Sequence, residues 1–309
     1  MKITYSIIAP IYNEIDNLPE LYRRVKEVMD SSGEPWELIL VDDGSTDGST
    51  DKIRELAEAD KTVRPVVFAR NFGHQVAITA GWDYARGDAV VIIDADLQDP
   101  PEVILNLAEK WKEGYEVVYA TRGEREGESW FKLWTASLFY RLIYRITDVK
   151  IPVDTGDFRL MDRKVVDVLK HMKERHRFPR GMSAWVGFRQ IGVTYKRAAR
   201  RSGVTKYPFK KMLRLAINAV TGFSYFPLQV ATYFGFISAG IAILAIPVVI
   251  YMRMTGSGAF FGQATTLIAV LFLGGVQLIS LGILGEYIGR LYDEAKGRPL
   301  YIVREAPED

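Results

Sequence analysis

Residues 37–58 read ELILVDDGSTDGSTDKIRELAE. An apolar run over 37–41 is too short for a helix and ends in the acidic turn VDDGSTD (41–47), after which 49–58 carries a helical pattern. That order predicts one strand–turn–helix unit, with its polar turn at the carboxyl end of the strand. The unit recurs along the first 120 residues. Further strands are expected over 3–9, 65–69, 89–93 and 116–120. Helices are expected after Asn17, which reads as an N-cap with Pro19 in the first turn, over 74–86, and after Pro100-Pro101. Strands alternating with helices imply an α/β, mostly parallel sheet covered on both faces. Ligands of such sheets bind beyond the carboxyl ends of the strands.

The second half has a different character. Residues 228–252 form an uncharged stretch of 25, and a second apolar stretch runs over 264–285. At ~1.5 Å per residue each exceeds a hydrocarbon layer of about 30 Å, so two transmembrane helices are expected. Pro247 inside the first is tolerated by a spanning helix. Net charge is only +2, so nothing in the balance suggests nucleic acid, but the distribution is uneven. Residues 189–214 carry nine Lys/Arg and no Asp or Glu, Arg290, Lys296 and Arg298 follow the second stretch, and the connection between the stretches holds only Arg253. Positive charge flanking both outer ends places both termini and the first domain in the cytoplasm, with the hairpin tip outside. Residues 130–146 space Trp130, Trp134, Leu138 and Leu142 four apart, with Lys132, Arg141 and Arg145 elsewhere. Such a helix either packs on the sheet or lies at the membrane interface. A second amphipathic segment, 207–227, leads into the first span. There are no cysteines, which excludes disulfides and thiolate metal sites, and no signal-peptide pattern opens the chain.

Three polar motifs fall on strand ends: APIYNE (9–14), VDDGSTD (41–47) and IDADLQD (93–99). None contains the G-x-G-x-x-G of a dinucleotide site. Carboxylates at the first two can accept from ribose hydroxyls and base N–H groups. Asp94 and Asp96, one residue apart at a strand end, point to the same side, where a hard cation can bridge them to phosphate oxygens. Mg²⁺ suits this because it takes one or two carboxylates together with substrate phosphates.

These motifs closely resemble the GT-A fold glycosyltransferases of family two. RNFG (70–73), DTGDFRL (154–160) and the R-x-G-x-x-K-Y segment at 201–207 narrow the resemblance to the polyisoprenyl-phosphate branch. That branch includes GtrB-like glucosyltransferases, aminoarabinose-lipid synthases and dolichyl-phosphate mannose synthases. The resemblance covers essentially the whole chain, and no Q-x-x-R-W of processive synthases is present. It implies a GT-A (Rossmann-like) catalytic domain over 1–206, an interfacial helix over 207–227, a membrane hairpin over 228–290 and a cytoplasmic tail over 291–309. It also implies that Pro10, Tyr12, Glu14, Asp42 and Asp43 cradle the nucleoside, and that Asp94, Asp96 and Gln98 hold the metal and diphosphate, with Asp96 and Gln98 as direct ligands of Mg²⁺ or Mn²⁺. Arg122, Arg200 and Arg201 would contact phosphates. Asp157 would face the sugar, as a base or a positioning group, with pairing to Arg159 or helix capping as its structural reading.

The expected reaction is inverting transfer of a hexose, glucose from UDP-glucose, onto undecaprenyl or another polyisoprenyl phosphate at the cytoplasmic face of a prokaryotic plasma membrane. Two other readings stay open: a GDP-mannose-dependent dolichyl-phosphate mannose synthase, and a non-catalytic membrane scaffold with a vestigial GT-A domain. Gly274, Gly275, Gly282 and Gly285 would permit close helix packing and so a homo-oligomer.

Overall fold

Two adjacent strands inside the sheet, β1 (Tyr5–Ile11) and β2 (Trp36–Asp42), are buried at every residue. Helices cover both their faces, which is why the sequence there is continuously apolar instead of alternating. The computed structural model describes residues 2–123, 155–196, 224–255 and 263–307. These divide into two units, one of the residues up to 123 with 155–196 and 298–307, the other of 224–255 and 263–297.

In the first unit the chain continues through α1 (Leu18–Ser32), α2 (Ser49–Ala59), β3 (Val63–Phe68), α3 (His74–Tyr84), β4 (Ala89–Ile92), α4 (Val103–Lys112) and β5 (Val117–Arg122). Beyond residue 155 come β6 (Thr155–Asp162), α5 (Arg163–His171), α6 (Pro179–Trp185), β7 (Gln190–Tyr195) and finally β8 (Val303–Glu305). The sheet order is β7-β5-β6-β4-β1-β2-β3-β8. Strands β4, β1, β2 and β3 run parallel, β5 is parallel to β7, and β6 is inserted antiparallel between β4 and β5.

All five strands expected in the first 120 residues are present, with edges moved by a few residues. The expected end of the first strand at Ala9 extends to Ile11 through Pro10, which sits opposite Val41. Pairing of β1 with β4 stops at Ile8, so the N–H that Pro10 lacks is not needed on that side. On one face, Leu21, Val25 and Met29 of α1 and Ile104 and Leu107 of α4 pack against Ile7, Ala9 and Ile11. On the other, α3 approaches so closely that a Cβ at Gly81 would lie 2.2 Å from Ile8 Cγ2. Asn17 stands at the N-terminus of α1 as expected, but without a capping bond: its amide donates instead to the Glu14 carboxylate at 2.6 Å.

β8 had no counterpart in the sequence reading. It pairs antiparallel with β3, Phe68 opposite Val303. Tyr301 stacks on Phe68 with centroids 5.1 Å apart, its hydroxyl donates to Asp83 at 2.7 Å, and Arg54 pairs with Glu305. Residues 298–307, which follow the apolar helices, therefore belong to the sheet unit.

The second unit holds two helices, α7 (Phe226–Met254) and α8 (Gln263–Ala295). Within them, apolar spans of 27 and 28 residues, Phe226–Met252 and Ile268–Ala295, are long enough to cross a membrane. Side chains such as Phe236, Leu244, Phe272 and Leu278 are exposed, an apolar surface that water would not tolerate on a monomer. The expected end of the second span at Gly285 is passed by ten residues: the helix runs on to Ala295 through a charged stretch in which Glu286 pairs with Arg290 one turn on at 3.0 Å. A Cβ at Gly274, Gly275, Gly282 or Gly285 would meet nothing within 4 Å, so these glycines do not pack the two described helices together. The expected helix over 130–146 and residues 207–223 of the expected interfacial helix lie outside the described residues.

Candidate active site

The carboxyl ends of β1, β2 and β4 open on one edge of the sheet, and the loops there are built from their own polar side chains. Asn13, in the left-handed region at φ 53°, accepts from Thr46 N–H at 2.8 Å, while its own N–H donates to the Ser45 hydroxyl at 3.0 Å. Asp47 accepts from the Ser49 hydroxyl at 2.6 Å and from the N–H groups of Ser49 and Ile15; burial pushes its carboxyl up, but these bonds, the hydroxyl's first, outweigh it and hold the carboxyl below the usual range. Glu14 N–H donates to Ser49 Oγ at 3.1 Å. The first two motifs are thus stitched into one surface.

Asp42 and Asp43 both face inward. Asp42 is fully buried and accepts from Ser45 N–H at 2.9 Å and from the Thr50 hydroxyl. Asp43 accepts from Phe72 N–H at 2.6 Å and Gly73 N–H at 2.9 Å, so it ties the end of β2 to the RNFG segment. Burial pushes its carboxyl up, partly countered by those two bonds. A Cβ at Gly44, at φ +71°, would lie 2.6 Å from the backbone of Arg70 and Asn71, so only glycine allows this approach. Of the expected nucleoside cradle, Pro10 is buried in β1 and Tyr12 is 42% exposed beside it.

At the end of β4 burial alternates: Asp94, Asp96 and Gln98 are half-buried, while Ala95, Leu97 and Asp99 are buried. Asp94, Asp96 and Gln98 are thus the more exposed positions of this turn. The turn is held in an unusual shape, with Leu97 at φ 59° and Asp96 Oδ1 accepting from Gln98 N–H at 3.1 Å. A left-handed conformation in a buried leucine is costly and is typical of a site whose geometry matters. Asp99, below the turn, accepts from the Tyr195 hydroxyl of β7.

The sheet then brings in a residue from far along the chain. Ile92 of β4 lies opposite Arg159 of antiparallel β6. The same register carried two residues on sets Asp157 beside Asp94. Asp157 is 5% exposed and is gripped from three directions. Arg180, on α6, donates from Nε at 2.8 Å and Nη2 at 3.4 Å. His74 Nε2 at the start of α3 stands 3.4 Å away, and Gln75 Nε2 donates at 3.3 Å. The expected alternative partner, Arg159, bonds instead to Ser183 and to Gly156 O.

His74 Nε2 is also 3.5 Å from Asp94 Oδ1, so one imidazole bridges the two acids. Burial works against its charge, but the hydrogen bond to Asp157 and the charges of Asp94 and Asp157 raise it to about 9. Burial pushes Asp94 up to about 6 despite His74, with Asp157, Asp99 and Asp96 adding to the rise. For Asp157 burial is overcome by Arg180 and His74, which hold it well below the usual carboxylate range. A carboxylate so heavily paired is a weak base and a firmly oriented one.

Among the described residues no three His, Cys, Asp or Glu side chains are grouped to hold a metal on their own. The donors at this turn are nonetheless hard oxygens, and Asp94 Oδ1 is buried without a hydrogen-bond partner. Such a set fits a cation that substrate phosphates help to coordinate. Arg122 ends β5 opposite Tyr195, and Arg200 and Arg201 lie outside the described residues. The sequence reading missed His74, Gln75 and Arg180. His74 had one signal, its place directly after RNFG at a helix start; Arg180 had none, because only the tertiary fold brings α6 to β6.

The model of the family described as glycosyl transferase family 2 matches residues 6–169, which span the three acidic strand ends and Asp157. The uncharacterized glycosyltransferase YkcC of Bacillus subtilis (strain 168) is 53% identical over 304 residues, covering 98% of this chain and 94% of that one. The bactoprenol glucosyl transferase of Shigella phage SfII is 43% identical over 306 residues, covering 99% and 98%. Among solved structures, glucosyl-3-phosphoglycerate synthase from Mycobacterium tuberculosis, in complex with Mn²⁺, UDP and phosphoglyceric acid, aligns over 71% of this chain and 76% of that one, at 20% identity and a TM-score of 0.48. The family match extends over more than half the chain and the curated relatives over nearly all of it, so the chain belongs to glycosyl transferase family 2 and is a glycosyltransferase.

Proposed function

We propose that the protein transfers glucose from UDP-glucose to a polyisoprenyl phosphate, undecaprenyl phosphate in a prokaryote, at the cytoplasmic face of the plasma membrane, with inversion at the sugar and release of UDP. One observation carries this reading: the acidic strand ends of a family 2 unit occur in the same chain as two helices long and apolar enough to cross a membrane. An acceptor that cannot leave the bilayer demands that pairing. The name of the phage relative, aligned over the whole of this layout, supports glucose and a bactoprenol acceptor.

The chemistry asks little of a base. The acceptor is a phosphate already anionic at neutral pH, so the enzyme must align its oxygen behind the sugar C1 and favour departure of UDP. Asp157, ionised and held by Arg180 and His74, is suited to orienting sugar or acceptor and poorly suited to taking a proton. Asp94, Asp96 and Gln98 would hold a divalent cation, Asp96 and Gln98 as ligands. When bound, Mg²⁺ or Mn²⁺ would neutralise charge on the departing diphosphate. Tyr12 and Glu14 border the proposed nucleoside site, whose walls Pro10, Asp42 and Asp43 build. Arg122, Arg200 and Arg201 would contact phosphates, and the basic run over 189–214 would hold the catalytic unit to anionic headgroups.

The test is a donor comparison. Purified protein with undecaprenyl phosphate in mixed micelles is given radiolabelled UDP-glucose or GDP-mannose, and product is extracted into organic solvent. Label from UDP-glucose should enter the lipid phase. Label from GDP-mannose alone, or from neither, would sink the proposal.

A further inference from the structure

The Asp157 carboxylate is held by an arrangement larger than a salt bridge. Arg180 spends its guanidinium on β6: Nε and Nη2 reach the two oxygens of Asp157, and Nη1 donates to Thr155 O at 3.1 Å. The fork is therefore locked to the strand backbone as well as to the acid, and a point charge could not reproduce it. His74 and Gln75 approach the Oδ2 side, and His74 also spans to Asp94, the first acid of the turn at the end of β4. Asp157 and Arg180 are 23 residues apart in sequence, and Gln75 and Asp157 are 82 apart. Two segments distant from β6, the start of α3 and α6, converge on one of its side chains.

We propose that Arg180 and His74 are positioning residues of the transferase reaction, acting through Asp157. Arg180 fixes the plane of the carboxylate, and His74 fixes its distance from the Asp94 turn. The geometry of the sugar and acceptor side is thereby set relative to the diphosphate side. The proposal rests on the transferase reading above and names the residues that make its central acid rigid. It gives them an order. Arg180 supplies two bonds to Asp157 and one to the strand, so it governs orientation; His74 supplies one contact to each acid, so it governs separation.

A double-mutant cycle tests this. Arg180→Lys keeps a cation but loses the fork, and should lower kcat by about 10²-fold, the scale of a small misplacement at a reacting centre. KM for the nucleotide-sugar and the affinity for UDP should stay within about twofold, which also certifies that the variant is folded. In an Asp157→Asn background the same substitution should cost less than about threefold, since the group it orients is already altered. His74→Gln, which retains a hydrogen-bond donor, should keep at least tenfold more kcat than His74→Ala. Additive losses from Arg180→Lys and Asp157→Asn would overturn the proposal, because a residue that merely stabilises the fold gives that result. So would a loss confined to UDP affinity. The cycle is run on whichever nucleotide-sugar the parent turns over. A parent inactive with UDP-glucose but active with another donor therefore counts against the substrate reading alone.

Discussion

Asp157 illustrates how a residue's role follows from its partners. A carboxylate exposed to water would be a passable base; this one is buried among two cations and an amide, and gives up its affinity for protons in exchange for a fixed orientation. Asp157→Asn should therefore retain more activity than Asp157→Ala, since an amide still accepts from Arg180 on one side. Single-turnover transfer rates decide the matter: equal loss in both variants, on the scale of about 10²–10⁴-fold expected for an acid–base group, would mark it as a base. His74 leaves a signature in stability. Its folded pKa of about 9 lies above the ordinary value of about 6.5, so its hydrogen bond to Asp157 and its attraction to the charges of Asp94 and Asp157 contribute fully below pH ~6.5 and fade as pH rises through 9. The melting temperature of the parent should exceed that of His74→Gln at pH 6 and approach it near pH 10. A constant difference across that range would contradict the ion bridge.

At the level of elements, the turn after β4 is the piece most exposed to a direct test. Asp96→Ala should leave the sheet intact, since Asp96 lies in the turn beyond β4 and accepts there from Gln98 N–H, yet abolish transfer, and EDTA should do the same to the parent until Mg²⁺ or Mn²⁺ is restored. Near-normal turnover of the variant with metal present would remove Asp96 from the proposed ligand set. The β1–β5 repeat and the acidic ends were legible in the sequence because each lies within about ten residues of the apolar run that places it. The alternating burial at Asp94, Ala95, Asp96 and Leu97 belongs to the turn beyond β4 and depends on the left-handed Leu97, which the sequence did not announce. What was illegible depends on distant pairing: β6 enters antiparallel, α6 reaches across to it, and β8 is only three residues long. A short edge strand has too little pattern to announce itself, and its partner is chosen by Phe68 and Arg54. Removing the Tyr301 ring should accordingly destabilise the sheet unit by about 2 kcal/mol, through the lost stack and the bond to Asp83. Tyr301→Phe should lose roughly half of that. Chemical denaturation of the three proteins in detergent measures both.

For the molecule as a whole, the basic flanks and a hairpin bearing only Arg253 predict that a reporter fused after Asp309 lies in the cytoplasm. A cysteine introduced by Ser257→Cys should react with an impermeant reagent applied to intact cells; the parent has no cysteine to interfere. A reporter found outside would overturn the cytoplasmic placement of the active site. The return of the chain to its own sheet through β8 also bears on how the protein is made. Arg304, which donates to Ala69 O, is separated from it by 235 residues, and both apolar helices are translated in between. At ~5–20 residues per second, β3 waits roughly ten to fifty seconds for the strand that will cover it. Throughout that interval its outer edge offers unpaired N–H and C=O groups to any other strand, including that of a neighbouring nascent chain. Synthesis of the two apolar helices and completion of the catalytic sheet thus become successive events, and a chain stalled at the first is left with an adhesive edge where the second should have closed it.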